Sequence, residues 1–76
     1  MTLDKHNICG VGGFPKKVLP SLEFESLLKE AGYTYSGSAP AKGKRIKVWW
    51  SHSIHKRVEA IYSSDKRDTI TAYHVD

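Results

Sequence analysis

The amino-acid sequence predicts a single α+β domain, with one short helix packed on a three- to four-stranded antiparallel sheet. Two observations carry this. Apolar residues recur at helical spacing within 21–31, and the chain beyond residue 44 alternates apolar and polar positions in three runs divided by turn-forming stretches. The 76 residues allow one domain, 1–76, with a thin core. A chain this short buries only about 60% of the surface it exposes when unfolded.

Residues 1–20 read as an irregular segment. Gly10, Gly12, Gly13, Pro15 and Pro20 punctuate it and no period survives. Its apolar residues Leu3, Ile8, Val11, Phe14, Val18 and Leu19 are expected to lie on the domain. Residues 21–31 read as the helix, with Ser21 as N-cap because its hydroxyl can accept from first-turn N–H groups. Phe24, Leu27, Leu28 and Ala31 form one face, and Gly32 suits the left-handed residue that ends a helix. Tyr33–Ser36 suggests a short strand, and Gly37–Gly43 a loop by composition. Arg45–Trp50, Arg57–Ser63 and Thr69–Val75 then read as strands, the last two joined by a polar turn over Ser64–Asp68. The sheet is thus expected within 33–75.

Strand alternation assigns the faces. Ile46, Val48, Trp50, Val58, Ala60, Tyr62, Ile70, Ala72 and His74 are expected toward the helix. Arg45, Lys47, Trp49, Arg57, Glu59, Ile61, Thr69, Thr71 and Tyr73 then form the other face, basic and aromatic, which an antiparallel sheet can leave open to water. The competing reading has Trp49 packed beneath the N-terminal segment and the charges serving solubility.

The net charge is +4, and it is unevenly spread. Lys42, Lys44, Arg45, Lys47, Lys56 and Arg57 fall in a window free of Asp and Glu, which favours RNA or another acidic partner. A single cysteine, Cys9, allows no internal disulfide. No apolar run nears the ~18 residues of a membrane span, and none has signal-peptide length. The expectation is a cytoplasmic chain that does not enter a membrane. His6-x-x-Cys9 and His52-x-x-His55 have chelating spacing. Yet zinc's usual close cysteine pairs are missing, so no metal or cofactor is expected. Gly10-Val11-Gly12-Gly13 lacks the preceding strand and the lysine of a P-loop.

Two sets of residues point to nucleic acid. Lys44, Arg45, Lys47, Trp49 and Arg57 combine cations for phosphates with a ring for stacking. Metal-free RNA cleavage needs a base, an acid and cations that hold the phosphate. His52, His55, Arg57, Tyr73 and His74 contain those residue types, with Lys56 beside them. The bland alternative for each histidine is a structural or exposed role.

The stretches Arg57–Asp65 and Asp68–Val75 resemble the closing hairpin of barnase- and RelE-type small ribonucleases and toxins. That resemblance implies a helix before an antiparallel sheet, with Arg57, Glu59 and Tyr73 or His74 as active positions on its exposed face. The helix ending Lys29-Glu30-Ala31-Gly32-Tyr33, with strands after it, resembles HicA-type toxins. Their Gly-Ser-His signature is not met, because Gly37-Ser38 is followed by Ala39. The leading expectation is a small RNA-directed protein, with a metal-independent endoribonuclease of toxin type as its enzymatic form. The alternative is a small inhibitor or adaptor of phage type that binds and blocks another protein, such as a nuclease. A homodimer is compatible with the thin core.

Overall fold

The computed structural model describes residues 6–14 and 16–75, so the expectations for Leu3 and Pro15 lie outside the described residues. The chain runs β1 (Asn7–Ile8), β2 (Gly12–Gly13), β3 (Leu19–Pro20), α1 (Ser21–Glu30), β4 (Thr34–Pro40), β5 (Ile46–Ser51), β6 (Val58–Tyr62) and β7 (Asp68–His74). A 3₁₀ turn, Lys42–Lys44, links β4 to β5. One helix packs on a five-stranded antiparallel sheet of order β3-β7-β6-β5-β4, and β1 and β2 pair separately.

The sheet is larger than expected because two segments with little strand character join its edges. Leu19-Pro20 pairs with Thr69 and Asp68. The stretch expected as a loop after Ser36 continues as β4, where Gly37, Ser38, Ala39 and Pro40 pair with Trp49, Val48, Lys47 and Ile46. A Cβ at Gly37 would stand 3.7 Å from Trp49 Cε3, an ordinary contact, so the pairing does not depend on glycine there. The N-terminal segment is not wholly irregular either, since residues 7–8 and 12–13 form a hairpin.

The core joins the helix face to the inner sheet face. Phe24, Leu28, Val48, Trp50, Val58, Ala60, Tyr62 and Ala72 are buried as alternation requires, and Ile8, Phe14, Leu19 and Tyr33 complete the cluster. One strand departs from parity. Ile61 pairs with Thr71 but Tyr62 pairs with Thr69, so Ile70 is an extra residue in β7. A bulge of this kind turns the residues before it to the opposite face. Thr69 is therefore fully buried, and the expected inward Ile70 is only partly so.

The helix ends differ from the expected start and agree with the expected stop. Pro20, not Ser21, occupies the N-cap position, without a side-chain capping bond. The Ser21 N–H donates instead to the Arg67 carbonyl at 2.7 Å, tying α1 to the β6–β7 turn. At the other end Tyr33 N–H donates to Leu28 O (2.9 Å) and Gly32 N–H to Lys29 O (3.1 Å). These are the two bonds of a Schellman cap, with Gly32 at φ +95°. A Cβ on Gly32 would also come within 2.9 Å of His52 Nε2, so glycine is required twice over.

Candidate functional site

The inner and outer residues expected to share one site fall into two separate constellations. The first surrounds the N-terminal turn and holds the histidines. His52 Nε2–H donates to the Ala31 carbonyl at 2.8 Å, and His52 Nδ1 accepts from Ile54 N–H at 3.1 Å. A carbonyl can only accept, which places the proton of the neutral ring on Nε2. His55 packs against His52 (ring centroids 4.4 Å) and Tyr33 (6.1 Å). Tyr33 O–H donates to the Cys9 carbonyl at 2.6 Å, and burial raises its hydroxyl above the ordinary range, helped by Cys9.

His74 closes the same region. Its register partner is Val58, on the inner side. Nδ1–H donates to Lys56 O at 2.9 Å and Nε2 accepts from Cys9 N–H at 3.0 Å. The ring therefore clips the N-terminal turn to β7 and the β5–β6 loop. Both nitrogens of His52 and of His74 are thus used in holding backbone. Among the described residues no group of three or more His, Cys, Asp or Glu is placed to hold a metal. His6 lies instead against Tyr73, ring centroids 5.6 Å apart.

The second constellation is on the outer sheet face. Gly37, Trp49, Glu59 and Tyr73 form one row across β4, β5, β6 and β7. Trp49 Nε1–H donates to Glu59 Oε1 at 3.0 Å, and Tyr73 O–H donates to Glu59 Oε2 at 2.5 Å. The Arg57 guanidinium stands over the Trp49 ring, 5.9 Å from its centroid, within cation–π range. Lys47 belongs to the next row, opposite Ile61. Among the described residues, Ile8 and Phe14 of the N-terminal segment join the inner core, while His6 lies on the outer face against Tyr73, where Thr71 is also buried. Of the expected binding residues, Lys47, Trp49 and Arg57 come together here. Lys44 and Arg45 are exposed at the β4–β5 turn, at the other end of β5 from Arg57.

Glu59 is central to this face, and the sequence reading carried it only as part of a strand pattern and a resemblance. Partial burial works upward on its carboxyl. The hydrogen bonds from Tyr73 and Trp49, with the charges of Lys47 and Arg57, outweigh that and hold it below the ordinary carboxylate range. The bond to Glu59, then burial and the carboxylate's charge, push the Tyr73 hydroxyl up to about 12.

The signs define a pH window. Glu59, with its folded value lowered, contributes stability above its ordinary 4.5 and loses it as pH falls through the folded value. Tyr73, with its folded value raised, contributes below its ordinary 10.0 and loses that contribution as pH rises through about 12. A spectrophotometric titration of tyrosinate is expected to show a component near pH 12 that Tyr73→Phe removes and Glu59→Gln moves toward neutrality. A titration curve unchanged by Glu59→Gln would contradict this assignment.

A cleft of about 330 Å³ lies elsewhere, at the start of α1, lined by Pro20, Ser21, Leu22, Glu25, Tyr62, Lys66 and Arg67. Within it Tyr62 O–H donates to Glu25 Oε2 at 2.8 Å. Burial and that carboxylate raise the Tyr62 hydroxyl far above its ordinary range. Among the described residues no helix is long and apolar enough to cross a membrane. No family model, curated protein or solved structure matches this chain, so the chemistry of the site rests on its own geometry.

Proposed function

We propose that this chain is a nucleic-acid-binding domain that takes single-stranded RNA across its outer sheet face. The observation that carries the reading is the joined set Arg57–Trp49–Glu59–Tyr73 with Lys47 beside it. The Trp49 ring offers a surface for stacking a base, and the cations offer charge for phosphates. The net charge of +4 and the acid-free window from Lys42 to Arg57 favour a polyanion. Lys44 and Arg45 extend the basic strip along β5. We assign binding rather than cleavage, because His52 and His74 are engaged in holding backbone while Arg57 and Tyr73 stand on the other constellation.

The test is fluorescence anisotropy of a labelled single-stranded oligoribonucleotide across a salt series. Binding is expected to weaken with salt, with a logarithmic slope of about −0.7 per phosphate neutralised. Lys47→Ala is expected to make that slope shallower by about one such contact. Absence of binding at low salt sinks the reading.

A second reading has its own support. β4 is an edge strand, and its residues Thr34–Pro40 carry no charge. Such an edge can take a strand from a protein partner, as an inhibitor or adaptor would. Its effect would survive Trp49→Ala, which separates it from the first.

A further inference from the structure

We infer that Glu59 makes the outer face select nucleobases that carry an amino group, adenine and cytosine, over uracil. This rests on the RNA-binding reading and adds to it a residue that sets specificity.

A carboxylate is a poor choice for a surface that only grips phosphates, since it repels them. The bonds to Glu59 from Trp49 and Tyr73 and the charges of Lys47 and Arg57 hold it ionised on this face, where it can also accept from a bound base. An ionised carboxylate accepts at about four lone-pair sites. Trp49 Nε1–H occupies one on Oε1 and Tyr73 O–H one on Oε2, so each oxygen keeps acceptor capacity. Both oxygens are also held in place by donors from neighbouring strands, which fixes the direction in which they can accept.

The carboxylate lies between the two ring-bearing strands. Trp49 and Tyr73 are separated by β6, so their backbones stand roughly 10 Å apart, twice the strand spacing. A base stacked on Trp49, whose indole N–H meets Glu59 Oε1 at 3.0 Å, would present its edge to the carboxylate. Single-stranded bases expose their hydrogen-bonding edges to such contacts. Adenine and cytosine present amino N–H donors, which a carboxylate accepts. Uracil presents one N–H between two carbonyl oxygens, and those oxygens face the carboxylate unfavourably. Guanine also carries an amino group, but its strands self-associate and make a poor probe.

The experiment compares oligo(A), oligo(C) and oligo(U) of equal length, by anisotropy at one low salt concentration. Wild type is expected to bind oligo(A) and oligo(C) about tenfold more tightly than oligo(U). In Glu59→Gln the ratio is expected to collapse toward one, chiefly because oligo(U) binds the variant more tightly than it binds wild type. Circular dichroism confirms that the variant is folded. Equal binding of all three oligonucleotides by wild type overturns the inference and leaves RNA binding standing. A preference that persists in folded Glu59→Gln also overturns it. Failure of wild type to bind any of them overturns the RNA reading itself, and the inference with it.

Discussion

Trp50→Ala is expected to abolish the cooperative unfolding transition in urea or to lower its midpoint steeply. Trp50 is 1% exposed and belongs to the cluster that joins Ile8, Phe24, Leu28, Tyr33 and Val58. It also meets Tyr35 edge-on, ring centroids 6.1 Å apart. Truncating a buried tryptophan costs about 3–5 kcal/mol through lost transfer energy and the cavity left behind. Globular domains carry roughly 0.05–0.15 kcal/mol per residue, or about 4–11 kcal/mol for a chain of this length. The substitution therefore removes the whole margin at the lower end of that range and about a quarter to a half of it at the upper end. Trp50→Phe, which keeps a ring in the cavity, is expected to stay folded with a lowered midpoint. A cooperative transition in Trp50→Ala within about 1 kcal/mol of wild type would show that the cluster does not depend on this ring.

Trp49→Ala, one position along the same strand, is expected to do the opposite: to spare the fold and weaken RNA binding. Its side chain is only partly buried, and it faces away from the core. The change removes a stacking surface worth about 1–3 kcal/mol per base, a loss of about 5- to 150-fold in affinity. It also removes the ring under the Arg57 guanidinium and one of the two donors to Glu59. Trp49→Phe separates these contributions, since it keeps a face for stacking and lacks the indole N–H. Anisotropy at fixed salt measures all three proteins. Unchanged affinity in folded Trp49→Ala would remove this ring, and the face built around it, from the interface.

The contrast between these neighbours shows what the sequence carries well. Strict alternation over Ile46–Ser51 and Val58–Tyr62 placed Val48, Trp50, Val58, Ala60 and Tyr62 inward and Lys47, Trp49 and Glu59 outward. Period two is a local property, so local reading suffices. It failed where pairing partners decide. The bulge at Ile70 reverses Thr69, and only the register between β6 and β7 fixes that. Leu19-Pro20 and Gly37–Pro40 have weak strand propensity and become strands because β7 and β5 offer them free edges. The candidate site divided in the same way. Lys47, Trp49 and Arg57 were legible as a set because they lie close in the chain. The histidines join them by residue type and, for His52 and His55, by the same short stretch as Arg57, but neither fixes which side a ring takes. Their bonds to Ala31, Cys9 and Lys56 come from distant chain segments and leave no local pattern.

The position of β7 bears on the order in which this chain can assemble. It is the last strand in sequence but an interior one in the sheet, hydrogen-bonded to β3 on one side and β6 on the other. The meander of β4, β5 and β6 therefore keeps one flank open until β7 docks, and the core under α1 lacks Thr69 and Ala72 until then. His74, near the end of that strand, must then find Cys9, 65 positions upstream. Contacts of such long separation slow folding, because chain entropy is lost before they form. Until β7 docks, β6 presents an unpaired strand edge. The vulnerability of the chain to misassociation is therefore greatest in partly folded states in which β7 is not yet paired.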